Sequence, residues 1–257
     1  MYRHKRFQCR DLAELLDEIA GLPSGYFQRV ERIFLADGDA LAYPFEGLMT
    51  LLAWLKNHFP RLTRVSSYAS PKSLAGKTAD ELRQLREAGL RLLYLGLESG
   101  DPETLRIAGK GYTPDQVAQL ALTARQAGMK LSVTAILGLG GRGRSREHAL
   151  GTAAWVNRVN PEYFSLLTLF ARHNESFIES LDRVTTRELF DEVRLLLESL
   201  HPTKTILRSN HVSNLITLAG SYPKDQKRLL DDLEQARQRA ERFPGVLDAI
   251  PDYAESW

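Results

Sequence analysis

The chain has 257 residues, 43% hydrophobic and 26% charged, a composition that suits one large α/β domain or two small ones. Its 34 basic and 32 acidic residues leave a formal charge of +2 with no polybasic run, so nucleic acid is not expected as a partner. A single cysteine, Cys9, excludes an internal disulfide, and no stretch is apolar for long enough to cross a bilayer; both point to the cytoplasm.

Residues 1–10 are basic and aromatic without periodicity. Leu12, Leu15, Leu16, Ile19 and Leu22 then share one helical face, and Pro23-Ser24-Gly25 ends that helix. Arg32–Leu35 reads as a short strand running into Asp37-Gly38-Asp39, where two carboxylates around a glycine make a sharp turn. A helix follows from about Phe45 to His58, then a strand over Arg64–Ser70 that ends in hydroxyls. Thr78-Ala-Asp-Glu81 is a capping box for a helix that stops at Gly89. Arg91–Gly100 is an apolar strand whose end carries Glu98, an ionisable group where a buried strand emerges. Next come a short helix from Asp101, the turn Gly109-Lys110-Gly111-Tyr112, and a second capping box at Thr113–Gln116. Leu131–Leu137 is another strand, opening into the glycines of Gly138–Gly143, and a helix runs from Ser145 to about Val159. Tyr163–Leu169 is a strand, Thr185–Glu188 caps a helix reaching Leu200, and Thr205–Leu207 leads a last short strand into Arg208–His211. The chain closes with a charged helix and tail over residues 224–257.

Strand and helix alternate at least five times, and the corner Ala88-Gly89-Leu90 recurs as Ala127-Gly128-Met129. Alternating βα units imply a parallel sheet with right-handed crossovers, open or closed. No linker rich in Gly, Pro or Ser interrupts residues 1–257, so one domain is expected. Parallel strands place their C-terminal ends on one rim. That gathers Asp37, Gly38 and Asp39, Ser66 and Tyr68, Glu98 and Ser99, Gly138, Gly140 and Gly141, Thr168, and Arg208 to His211. Acids and hydroxyls suit a ligand with amines and ribose hydroxyls, and the glycines allow close backbone approach. Gly138–Gly143 matches neither a Walker loop nor the dinucleotide fingerprint. The six histidines are scattered without metal spacing and are expected mostly at the surface; His211, beside Arg208 and Asn210, is the exception. Cys9 cannot hold an iron–sulfur cluster alone.

Taken together, Phe34–Leu41, Ser66–Ala69, Tyr94–Gly100 and Ile136–Gly141 resemble the radical S-adenosylmethionine superfamily, in particular its Elp3 and oxygen-independent coproporphyrinogen-oxidase-like branch. Arg208–His211 with Ser213-Asn214 resembles a late motif of one bacterial subgroup. The resemblance implies a partial (β/α)6 TIM-like barrel whose open rim holds S-adenosylmethionine against a 4Fe–4S cluster. Reduction there would yield a 5′-deoxyadenosyl radical that abstracts a substrate hydrogen, with electrons from a donor such as flavodoxin or ferredoxin. It also implies that Asp37-Gly38-Asp39 receives the methionine amine, that Glu98 contacts ribose or amine, and that Gly138–Gly141 lies beside the adenine, with Arg208, Asn210 and His211 toward an unknown, small-molecule substrate.

One departure matters. The superfamily's Cys-x3-Cys-x2-Cys loop ends just before a Met-Tyr-Arg-like sequence, and this chain starts at Met1-Tyr2-Arg3. The first strand and the cluster cysteines are thus expected to lie outside it, and the chain is expected neither to bind the cluster nor to perform the radical chemistry as it stands. A truncated member is the favoured reading. A cluster-less barrel binding S-adenosylmethionine or a nucleotide is the alternative, and an acid–base enzyme using Asp39 and Glu98 is a third.

Overall fold

The computed structural model describes residues 9–169, 175–211 and 213–251. The basic start of the chain, His4, His173 and the end of the tail lie outside the described residues. The elements run α1 (Leu12–Ala20), α2 (Ser24–Phe27), β1 (Arg32–Leu35), α3 (Phe45–His58), β2 (Arg64–Ala69), α4 (Pro71–Ala75), α5 (Ala79–Ala88) and β3 (Leu90–Glu98). They continue with α6 (Pro102–Ile107), α7 (Pro114–Gln126), β4 (Lys130–Leu137), α8 (Gly141–Val159), β5 (Tyr163–Thr168), α9 (Glu175–Ser180), α10 (Thr186–Ser199), β6 (Thr205–Arg208), β7 (Ala219–Tyr222) and α11 (Gln226–Glu241). The seven strands lie in one sheet in chain order. The recorded pairings from β1 to β3 and from β4 to β6 are parallel, whereas β7 returns antiparallel to β6. The α/β class and the open, partial-barrel sheet expected from sequence are both present. The antiparallel last strand and the helices α2, α4 and α9 are additions, and Ser24 and Gly25, expected to end the first helix, begin α2 instead.

The chain forms two compact units, Met1–Leu95 with Gln119–Leu131, and Gly96–Ala118 with Ser132–Trp257. In the first unit, Leu48, Leu51, Leu52 and Leu55 of α3 and Leu82 and Leu85 of α5 are buried, spaced three and four apart as one helical face requires. Both sequence-level caps of α5 form. Thr78 Oγ1 accepts the Glu81 N–H at 3.2 Å, the Glu81 carboxylate accepts the Thr78 N–H at 2.7 Å, and Gly89 closes the helix at φ 119°. The repeated corner also has its left-handed glycine, Gly128, at φ 87°.

In the second unit β5 alternates strictly. Phe164, Leu166 and Thr168 of β5 are buried, while Tyr163, Ser165 and Leu167 are half-buried on the opposite face. One face of β5 is therefore buried, and the other is left more open. Two glycines decide how closely the turn after β3 meets α8: a Cβ on Gly100 would stand 2.2 Å from the Gly151 backbone. The Gly100 N–H donates to Thr152 Oγ1 at 2.9 Å, so the approach is also hydrogen-bonded. The first turn of α10 has its free N–H groups met from two directions. Thr185 Oγ1 accepts from Glu188 N, while the Ala249 and Leu247 carbonyls accept from Thr186 N and Arg187 N, each at 2.8 Å.

Candidate functional site

In the first unit the end of β1 turns sharply, with Asp37 at φ 62° and Gly38 at φ 94°. An aspartate tolerates this left-handed backbone better than most residues, and the turn delivers Asp39 to the end of β2. Asp39 Oδ2 accepts the Ser70 N–H at 3.2 Å. Its other oxygen, Oδ1, is buried and has no hydrogen-bond partner among the described residues. A carboxylate oxygen withdrawn from water without a donor is costly, so it suits an incoming N–H or O–H. Asp37 is exposed, Ser66 is buried, and Tyr68 is largely exposed. Tyr68, Phe34 and Tyr94 form a mutually edge-on aromatic trio, with centroids 4.9, 5.1 and 6.1 Å apart.

In the second unit Glu98 ends β3 at φ 65°, a strained position for a residue with a long side chain. Its carboxylate folds back over Gly96, where a Cβ would lie 2.9 Å from Glu98 Oε1. Lys110 Nζ reaches the same oxygen at 3.3 Å, and neither side chain is fully buried. Burial and then the Glu98 charge push the neighbouring Tyr112 phenol up to about 12. The turn Gly109–Tyr112, read from sequence as a plain connection, thus supplies a cation to the Glu98 carboxylate and a buried phenol that feels its charge. Gly96→Ala is expected to displace that carboxylate and lower the Tyr112 pKa toward the ordinary tyrosine value. Ultraviolet titration against a Tyr112→Phe background reads the change.

Ser99, by contrast, points inward. It is fully buried, 2.7 Å from His148 Nδ1, and its Oγ accepts the Asp101 N–H at 3.0 Å. His148 is buried too, whereas His58, His201 and His211 are exposed, as expected of most of the histidines. Gly138 and Gly141 are buried with φ 76° and 58°, and Gly140 is half-buried. The Gly138 N–H donates to Glu192 Oε1 at 2.7 Å. Next to this turn, Arg144 forks onto Asp101 at 2.7 and 2.8 Å. Farther along, Arg208, Asn210 and His211 are exposed, with His211 Nδ1 2.8 Å from Ser213 Oγ. Ser213 and Asn214 clip the end of β5 through Thr168 N and Thr168 Oγ1. Lys110, Tyr112, His148 and Glu192 were not singled out from sequence as site residues. Only Lys110, between Gly109 and Gly111, carried a local signal.

The family description "Radical SAM superfamily" matches residues 2–156, well over half of the chain. The chain belongs to the radical SAM superfamily. In curated sequences it is similar to an uncharacterized methyltransferase of Pyrococcus horikoshii, 28% identical over 81 residues, 32% of this chain and 17% of that protein. Among solved structures it shares its fold with coproporphyrinogen III oxidase (HemN) from Escherichia coli, a radical SAM enzyme. The TM-score is 0.59 at 19% identity, over 73% of this chain and 45% of that one. The archaeal Methanocaldococcus infernus Elp3, with its N-terminus deleted, superposes with a TM-score of 0.57 at 14% identity, over 91% of this chain and 57% of that one. The chain thus spans less than two thirds of the length of each of these relatives.

Membership brings S-adenosylmethionine and a 4Fe–4S cluster into question as ligands, and the residues answer differently for the two. For the cluster they do not fit: Cys9 is the single cysteine and is exposed, and no group of three metal-ligating side chains occurs among the described residues. For S-adenosylmethionine they do. Within the second unit, Glu98 with Lys110 offers both signs of charge at a strained strand end.

Proposed function

We propose that this chain is the S-adenosylmethionine-binding portion of a radical SAM enzyme, with cluster ligation falling to cysteines that are not among its own residues. The observation that carries the reading is the Glu98–Lys110 pair, a half-buried carboxylate and ammonium 3.3 Å apart beside a left-handed backbone. S-adenosylmethionine combines hydroxyl and amine donors with a carboxylate, so Glu98 would accept from the ribose hydroxyls while Lys110 turns toward the carboxylate. In the same unit the Gly138–Gly141 turn would admit the adenine edge, and in the first unit Asp39 Oδ1 is a separate proposed acceptor for an amine N–H. When bound and reduced by one electron, S-adenosylmethionine supplies a carbon-centred radical that removes hydrogen from a substrate. The exposed Arg208, Asn210 and His211 are the proposed substrate contacts, and a flavodoxin or ferredoxin the proposed electron donor for the complete enzyme.

Titration calorimetry of this chain with S-adenosylmethionine tests the binding. Glu98→Ala is expected to weaken it roughly 10- to 100-fold, as loss of a charged hydrogen-bond acceptor does. No heat with the unaltered chain, or equal affinity in the variant, would sink the assignment. Anaerobic reconstitution with iron and sulfide, comparing this chain with an upstream-extended form that carries a Cys-x3-Cys-x2-Cys loop, tests the enzymatic half. Cluster absorption is expected in the extended form alone.

A further inference from the structure

A line of buried polar groups runs through the second unit and is not used by the reading above. Glu192 lies on α10 among Leu189, Val193 and Leu196, with its side chain fully withdrawn from water. A leucine there would continue the apolar face, and an isolated buried carboxylate costs several kcal/mol, so the charge must be held by partners. It is: Oε1 accepts the Gly138 N–H at 2.7 Å, Oε2 accepts from Ser145 Oγ at 2.5 Å, and His148 Nε2 stands 3.7 Å from Oε1. The other ring nitrogen of His148 lies 2.7 Å from Ser99 Oγ, which in turn accepts the Asp101 N–H.

Serine, histidine and carboxylate in this order invite comparison with a nucleophilic triad, but burial excludes it. Ser99 has no exposed surface, so no substrate reaches its oxygen. What the groups do reach is the ends of two strands. Ser99 adjoins Glu98, the residue at φ 65°, and Gly138, at φ 76°, opens the glycine turn after β4. Backbone in these sparsely populated conformations persists only where its surroundings over-determine it.

We propose that Ser99, His148 and Glu192 are positioning residues, a buried relay that sets Glu98 at one end and the Gly138–Gly141 turn at the other. With a ring proton on Nε2 facing the Glu192 carboxylate and Nδ1 accepting from the Ser99 hydroxyl, every member has a role compatible with the others. The inference deepens the binding role proposed above and rests on it for its ligand readout. Its structural readout is independent.

Two measurements on the full chain test it. The first is amide hydrogen exchange. His148→Ala is expected to speed exchange at both Gly138 N–H and Asp101 N–H, at opposite ends of the relay, by about tenfold or more, while the Phe164 amide is unchanged. Acceleration at one end alone, or equal acceleration everywhere, overturns the relay. The second is affinity for S-adenosylmethionine, measured on folded protein. Glu192→Leu is expected to bind about tenfold more weakly. Glu192→Gln keeps an acceptor for Gly138 and a group to pair with Ser145, and is expected to bind within about threefold of the unaltered chain. A purely structural role would lower the melting temperature of both variants and leave the affinity of the folded molecules unchanged, and that result also overturns the proposal. Should the unaltered chain not bind S-adenosylmethionine, the binding reading fails, and the exchange experiment still decides the relay.

Discussion

Gly100→Ala is expected to cost about 3 kcal/mol of stability, the upper range for an overpacked site, and to lower the melting temperature by roughly 10 °C. The reason is geometric: the added methyl would sit 2.2 Å from the Gly151 carbonyl and 2.4 Å from the Thr152 nitrogen, all backbone, so no side chain can swing aside. Relief requires the turn to lift from α8, which breaks the Gly100 N–H to Thr152 Oγ1 bond and disturbs Ser99. Gly151→Ala, whose Cβ would meet the Gly100 carbonyl oxygen at 2.7 Å, should behave alike. Gly143, on the same helix with nothing within 4 Å, is the control. There alanine should be neutral or stabilise by up to about 1 kcal/mol through helix propensity. Equal melting temperatures for the Gly100 and Gly143 variants would refute the close approach as a determinant.

The second large effect is expected in acid. Burial pushes the Asp101 carboxyl up, but the Arg144 fork and the two Thr104 donors outweigh it and hold the group at about 2. A carboxyl depressed on folding adds stability above its unfolded pKa of about 3.9 and loses it as the pH falls toward the folded value. Asp101 should therefore contribute about 2 kcal/mol at neutral pH, lost between about pH 4 and pH 2. Asp101→Asn keeps a competent helix cap but cannot hold the ion pair. It should be less stable than the unaltered chain at pH 7 by about that amount and nearly equal to it at pH 2. Chemical denaturation at a series of pH values checks this, and parallel profiles for the two proteins would contradict it.

Much of this fold was legible because its signals are local. Leu131–Leu137 and Arg91–Gly100 are apolar runs bounded by glycine, and the capping boxes at Thr78, Thr113 and Thr185 are read within four residues. Strand β7 was not, since Ala-Gly-Ser-Tyr has almost no strand propensity and forms only because β6 offers it a partner. The site divides in the same way. Glu98 stands out as an acid ending an apolar strand, and the Asp37–Asp39 turn is marked by its glycine. His148 and Glu192 lie on helices 49 and 93 residues from Ser99, with no periodicity to connect them, and only the folded chain shows that they meet. Lys110 falls between these cases: its glycines announce a turn, but not that the turn carries a counter-ion to Glu98.

The carbonyls of Leu247 and Ala249 that complete the first turn of α10 have a consequence for biosynthesis. Glu192 is two turns into that helix, yet two of the N–H groups at its start, those of Thr186 and Arg187, receive their partners from residues about 60 positions later. A ribosome delivers α10 with its local Thr185 cap well before it delivers these two carbonyls. During translation the helix start stays solvated and free to fray, and the glycine turn after β4 waits on it. Nascent chains arrested before Leu247 should therefore show α10 open to protease, and chains released past Pro251 should not.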